Sequence, residues 1–310
     1  RQGFNINVGL DYQMTKKSSL TLSYLNNDRD GDDRSTNQQS QYRADDVLLS
    51  NRFENETDRE ENNQFSVDFE HKFNAQGHKI TATLQTEKSD ESEISDINSF
   101  FEDGTRSDDS EINTTTENQE RNLAQIDYVL PINKDTQFEL GYRGTENKRV
   151  IDFEVQILDL AGKATTDENL SNVLDFEQEV HALYTQYGKK INAFSFLAGL
   201  RLENTNIFVE QLKSETPLND KSYTDLFPTL NLGLEISPTA SITLGYNRRI
   251  SRPNAWTLNP FQSRSSKTSY FQGNPELDPS YSNGIDLGYL KQFKKITLNS
   301  SIYFRRHQTL

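Results

Sequence analysis

Arg248-Arg249-Ile250-Ser251-Arg252-Pro253, then Trp256-Thr257-Leu258-Asn259-Pro260-Phe261, then Gly273-Asn274-Pro275-Glu276-Leu277-Asp278-Pro279 and Tyr281 make a crossing between two alternating segments. Before it, Ile242, Leu244 and Tyr246 alternate with Thr243 and Gly245; after it, Ile285, Leu287 and Tyr289 alternate with Asp286 and Gly288. Apolar residues at period two are the mark of a strand with one wet and one dry face. The crossing holds the only Trp and four of the eight prolines. Proline fixes φ and removes a backbone donor, so this stretch is an ordered loop joining two strands rather than one continuous ladder.

The same alternation recurs outward from this loop. Phe4, Ile6, Val8, Leu10 and Tyr12 share one face, and Leu20, Leu22 and Tyr24 continue it after a polar turn. Phe65, Val67 and Phe69 pair with Ile80, Ala82 and Leu84 across Asn74-Ala75-Gln76-Gly77. Ala124, Ile126, Tyr128 and Leu130 lead through a turn at residues 131–135 into Phe138, Leu140 and Tyr142. Residues 176–187 have mixed faces, and Lys189-Lys190 is read as the turn into Phe194, Phe196, Ala198, Leu200 and Leu202. Leu226 to Ile236 and then Ile242 to Tyr246 flank Pro238, and Lys294-Lys295 turns the chain into Ile296, Leu298, Ile302 and Phe304. The pattern predicts about twelve strands in six hairpins, with short turns and long connections alternating. That asymmetry fits an antiparallel up-and-down transmembrane β-barrel, with short periplasmic turns and long outer loops. A soluble sandwich has short connections at both ends.

Composition agrees. Only 33% of the 310 residues are hydrophobic, yet 18 Phe, 13 Tyr and one Trp argue against disorder. A barrel wall in lipid needs only every second residue apolar, so it reads as polar on average. There is no run of 18 apolar residues and no Cys, which excludes a membrane-spanning helix and a disulfide or Cys-based zinc framework. The net charge of −14 is concentrated in residues 28–61 and 89–118, read as solvated acidic outer loops. No basic face is evident, so nucleic acid is not an expected partner. Asp11, Asp68, Glu70, Asp127, Glu139 and Arg143 all fall on the faces opposite the apolar ones. A slip of one residue would bring that whole set into lipid, where a Lys or Arg at the midplane costs about 2–4 kcal/mol. Tyr12, Tyr24, Tyr128, Tyr142, Tyr246 and Tyr289 sit near strand ends, as interfacial girdles require.

The three linked motifs, Arg-Arg-Ile-x-Arg-Pro, Leu-Asn-Pro-Phe and Gly-Asn-Pro-x-Leu-x-Pro with the following Tyr, resemble the C-terminal barrel half of TonB-dependent outer-membrane receptors, in the branch common in Bacteroidetes-type bacteria. The resemblance rests on Arg248, Arg249, Arg252, Pro253, Trp256, Asn259, Pro260, Phe261, Gly273, Asn274, Pro275, Leu277, Pro279 and Tyr281. It implies a receptor in the cell outer membrane that imports a bulky ligand (a siderophore, glycan or peptide) and touches outer-membrane lipid. It further implies a plug domain, and a segment that couples to the TonB energy-transducing complex. Residues 1–310 would then be part of one barrel domain, with the plug, the coupling segment and the remaining strands outside this chain, since transporter barrels have about 22 strands. Two other readings stay open from sequence: a surface-displayed all-β binding protein or adhesin, and an envelope-assembly barrel.

No reactive constellation accompanies the strands. Counting from Asp28, an EF-hand loop would need Gly sixth and Glu twelfth; Gly31 is fourth and Gln39 twelfth. His71, His78, His181 and His307 have no metal-ligand spacing, and neither a phosphate loop nor a cofactor motif occurs. The expectation is a non-enzyme with no metal and no cofactor. Arg248, Arg249 and Arg252 have two readings: their forks grip carboxylates of the acidic loops or of a bound ligand, or they fasten the loop to the barrel rim by hydrogen bonds.

Overall fold

The computed structural model describes residues 2–43, 46–107, 110–213, 216–266 and 269–309. Twelve long strands among them follow one another in a single antiparallel sheet in chain order. They are β1 (Gln2–Thr15), β2 (Ser18–Arg43), β3 (Asp46–Lys72), β4 (Lys79–Phe101), β5 (Glu111–Asn133), β6 (Thr136–Leu158), β8 (Asn172–Ile191), β9 (Phe194–Gln211), β10 (Thr216–Ser237), β11 (Ala240–Ser251), β14 (Ser280–Gln292) and β15 (Thr297–Thr309). A short β7 (Ala164–Thr166) adds to β6, and between β11 and β14 lie helix α1 (Ala255–Leu258) and the small hairpin β12 (Gln262–Ser266) with β13 (Ser269–Gln272).

Register makes the alternation of separate strands into one surface. Leu10 faces Leu22, Leu22 faces Val67, Val67 faces Leu84 and Leu84 faces Ala124. At the far end Leu230 faces Tyr246, Tyr246 faces Ile285 and Ile285 faces Phe304. Leu10, Leu84, Ile126, Leu140, Leu200, Leu244 and Ile302 on this face are 40–71% exposed. An apolar surface of that extent belongs against lipid, not water. Tyr12, Tyr24, Tyr142 and Tyr289 lie exposed on the same face.

The apolar belt crosses the ladder obliquely. The hydrogen-bonded row that starts at Val8 runs through Tyr24, Phe65, Thr86 and Asn122 to Glu146 and Glu179. A row that begins in the belt therefore ends above it, as strands tilted to a membrane normal require.

The other face carries the charge and its partners. Thr21 donates to Asp11 at 2.6 Å, Thr83 to Asp68 at 2.6 Å and Gln125 to Asp127 at 2.7 Å, while Tyr184 also donates to Asp127. The largest apolar core lies on this face toward the long-hairpin end, where Ile151, Leu174, Phe176, Ile207 and Val209 pack with Ala255 and Leu258 of α1.

The structure corrects the reading of the acidic segments. Much of them is hairpin ladder rather than loop: β2 and β3 stay paired from Ser18 opposite His71 to Arg43 opposite Asp46, and β4 and β5 from Lys79 opposite Val129 to Ile97 opposite Glu111. At 27 residues β3 extends about 90 Å at the usual rise, whereas about 9–11 residues cross a bilayer. Beyond the belt neither face needs to be apolar against lipid, so no apolar period marks these strands. Cross-strand charge supports them instead, as in Arg29 to Glu60 at 2.8 Å. The turn placed at Lys189-Lys190 also moves. Both lysines are in β8, opposite Phe196 and Ser195, and the chain reverses after Ile191 with Asn192 at φ 53°. Asn tolerates that left-handed conformation better than Lys.

Candidate functional site

The crossing after β11 folds back onto the charged face. The β10–β11 ladder ends at Thr229 opposite Asn247, next to Pro228, and above this point β11 pairs with β14 alone. The outer part of β10 is thus left with one free edge, and the loop docks there.

Each part of the motif has a definite place. Arg248 holds its guanidinium carbon 4.9 Å from the centre of the Tyr281 ring. Arg252 donates from Nη2 to Glu203 and from Nε to Thr205 Oγ1 at 3.1 Å. After Pro253, Asn254 caps α1: its side chain accepts from the Thr257 N–H at 3.0 Å, and the Thr257 hydroxyl accepts from the Asn254 N–H at 3.0 Å. This cap turns the helix so that Leu258, fully buried, enters the core with Ala255, while Phe261 packs beside it. Trp256 points away and stacks on Phe271 at 5.0 Å, both rings about half exposed.

The last motif closes the loop. The Gly273 N–H donates to the Asn259 carbonyl at 2.7 Å and the Asn274 N–H to the Thr257 carbonyl at 2.8 Å. A Cβ on residue 273 would lie 2.5 Å from the Asn259 oxygen and 2.6 Å from the Thr257 oxygen, so only Gly fits this approach. The Pro260 carbonyl accepts from Gln272 at 2.8 Å, and the Asn274 side chain from the Glu276 N–H at 2.9 Å. From β10, Asn219 donates to the Pro275 carbonyl, and Lys221 reaches the Glu276 carbonyl and the Asp278 carboxylate, each at 2.9 Å. Leu277 stays partly exposed and Pro279 is buried. Tyr281 donates to Asp225 at 2.8 Å. Burial first, and then this bond, push its phenol up to about 12, so the donor stays protonated at neutral pH.

Sequence reasoning named the loop but not its partners. Glu203, Thr205, Asn219, Lys221 and Asp225 lie on β9 and β10, and only the register brings them to it. The available signal was their alternation opposite Leu202 and Leu226.

Beside the loop is a depression of about 420 Å³ bounded by Arg201, Glu203, Phe227, Asn247, Arg248, Arg249, Ile250 and Arg252. Four arginines and one carboxylate are among its lining residues. Arg201 and Arg252 both contact Glu203, and Arg248 lies over a ring, while Arg249 has no ion-pair partner among the described residues. In a chain of net charge −14 this is a concentrated positive patch, suited to a carboxylate or other anionic group. No three His, Asp or Glu side chains among the described residues converge as metal ligands. His71 bonds Ser18, His78 bonds Tyr128 and His181 bonds Tyr142, at 2.8–2.9 Å.

The model of the outer membrane protein beta-barrel family matches residues 71–310. The chain belongs to that family. Its place is the outer membrane, and its architecture is the antiparallel up-and-down wall of this family's barrels. Among solved structures it is similar to the ferric enterobactin receptor of Pseudomonas aeruginosa, in a double-mutant form, with 14% identity and TM-score 0.53 over 99% of this chain and 51% of that one. The alcaligin outer-membrane receptor of Bordetella pertussis matches 98% of this chain and 49% of its own at 12% identity and TM-score 0.49. The ferric preacinetobactin receptor of Acinetobacter baumannii matches 97% of this chain and 51% of its own at 9% identity and TM-score 0.48. This family chain thus spans about half the length of those receptors. No curated protein sequence matches it.

Proposed function

We propose that the chain is wall and mouth of a TonB-dependent receptor that imports a bulky ligand (siderophore, glycan or peptide) bearing an anionic group. The observation that carries this is the depression beside the docked loop, among whose lining residues Arg249 has no ion-pair partner within the described residues. A barrel that carries ligand through its interior needs recognition groups on the face away from lipid, and the exposed Trp256–Phe271 stack adds an aromatic surface beside them. The chain acts as a carrier, not a catalyst. The signature fastens the loop: Arg252 and Tyr281 anchor its ends, Asn259, Pro260, Gly273 and Asn274 close it, and Arg249 is left for the ligand.

Residues 1–310 form part of one barrel domain on this reading. β1 and β15 have no partner on their outer edges among the described residues, and hydrocarbon does not tolerate bare strand edges. On this reading those two edges pair with further strands of the same barrel, while the plug and the segment that meets TonB are what the family resemblance implies.

The test uses the full-length parent in outer-membrane vesicles and cells, against a panel of ferric siderophores, oligosaccharides and peptides. Arg249→Ala is expected to weaken binding of the cognate anionic ligand about tenfold or more, the value of one charge-assisted hydrogen bond, with folding unchanged. An uncoupler is expected to stop uptake but leave binding intact. Uptake that survives the uncoupler would remove TonB dependence, and unchanged affinity in the Arg249 variant would remove the arginine site.

A further inference from the structure

The lipid side of β11, β14 and β15 changes character across a single row. By register Leu244, Leu287 and Ile302 lie side by side, and Tyr246, Ile285 and Phe304 form the next row toward the crossing loop. The row after it is Arg248, Asn283 and Arg306. The apolar belt therefore ends at a row with two guanidinium groups. With the short turns of these strands on the periplasmic side, this row stands at headgroup level on the outer side. Arg249 and Arg305, one residue away on β11 and β15, belong to the other face. Arg248 also borders the arginine depression, because β10 leaves β11 just below it.

The row offers donors. Tyr246 donates to Asn283 Oδ1 at 3.1 Å, so the amide N–H groups are what Asn283 has left to give. The Arg248 guanidinium is steadied 4.9 Å from the Tyr281 ring centre, and its buried Nε has no hydrogen-bond partner. Arg306 is exposed. Neither arginine has an ion-pair partner among the described residues. No lipid-side position of β11, β14 or β15 holds an Asp or Glu. The carboxylates that approach from neighbouring elements are engaged: Asp225 accepts from Tyr281, Glu203 from Arg201 and Arg252, and Asp278 from Lys221. The two arginine Cα atoms are two strand spacings apart, about 10 Å, and forked side chains of that length close such a gap on one tetrahedral anion.

We propose that Arg248, Asn283 and Arg306 form a phosphate seat for an outer-leaflet lipid whose acyl chains run down over Tyr246, Ile285 and Phe304. Charge selects the phosphate: an ammonium headgroup would meet two guanidinium groups and no unengaged carboxylate. Position selects a lipid as its source, since the row borders the belt and one molecule can lay its phosphate on the arginines and its chains on the apolar rows. The seat uses Arg248 and Arg306 rather than Arg249, and does not depend on what the receptor imports.

The experiment measures lipid retention on the detergent-extracted full-length parent by native mass spectrometry. The probes are lipid A and the same lipid after removal of its phosphates, with variants compared as heat-modifiable, folded protein. The phosphorylated lipid is expected to bind about tenfold tighter or more, the value of a charge-assisted hydrogen bond. Arg306→Gln and Arg248→Gln are each expected to reduce that preference, and the double variant to abolish it, while Arg305→Gln, on the opposite face of the same strand, leaves it unchanged. Arg306 is exposed, so its variant decides the matter even if Arg248→Gln, which loses the Tyr281 contact, fails to fold. Equal retention of the two lipids would overturn the proposal, as would a preference that survives Arg306→Gln. Equal loss in Arg305→Gln would also overturn it, because net charge rather than this row would then hold the lipid. Complete displacement by millimolar inorganic phosphate would overturn the lipid as occupant and leave a site for free phosphate.

Discussion

Gly273 is the residue on which the docked loop turns, because two carbonyl oxygens stand where its Cβ would be. Gly273→Ala should cost the loop about 1–3 kcal/mol by overpacking. The expected sign is faster proteolysis within residues 252–279 while the barrel keeps its heat-modifiable band; an unchanged digestion pattern would deny the close approach any importance. Leu258 is fully buried among Leu174, Phe176, Ile207 and Val209. Truncating such a side chain costs about 2–5 kcal/mol, so Leu258→Ala should release α1 and raise hydrogen exchange in the Ile207 to Val209 segment. At this scale the sequence was only half legible. The motif residues announce a folded loop through Pro, Asn and Gly chemistry. Glu203 and Asp225 look like any other polar strand residue, because their roles come from register across about 50 residues of chain.

The long hairpins are the elements whose state depends on pH. On β3 and β4 the same face presents Glu54, Glu56, Asp58, Glu91 and Glu93, with Asp58 directly opposite Glu93. Burial foremost, and then the charges of Glu56, Glu91, Asp58 and Glu54, raise the Glu93 carboxyl above the usual range. A carboxyl raised in the folded state disfavours folding when ionised, so the hairpin gains stability as pH falls through its folded value and loses it as pH rises. Exchange protection across residues 53–60 and 90–96, taken relative to the intrinsic rate at each pH, should therefore be greater near pH 5 than near pH 8, and Glu93→Gln should shrink the difference. Lower protection at the lower pH would reverse the sign of the argument. These hairpins are also where apolar period failed as a guide. Within the belt one face is dry and alternation is clean, as in Phe194, Phe196, Ala198, Leu200 and Leu202 of β9. Above it residues 28–43 and 46–61 form ladder away from the belt, and nothing in the apolar pattern separates such a strand from a loop.

The whole molecule is a sheet sorted by face: an oblique apolar belt on one side, and charged networks with the docked loop on the other. Belt and hairpin count were readable because lipid imposes period two on every strand it touches. The reading of a membrane wall follows from that sorting, so it is the claim to test first. With no Cys among residues 1–310, single cysteines placed there are read against the unsubstituted parent. Along β10, Leu230→Cys and Leu232→Cys stand on the belt face and Thr229→Cys and Asn231→Cys on the other. The full-length parent in outer membranes should show labels at 230 and 232 quenched by lipid-borne quenchers and shielded from a water-soluble maleimide, with 229 and 231 behaving oppositely. Equal labelling of all four, or quenching at 229 and 231 instead, would contradict the barrel wall described above.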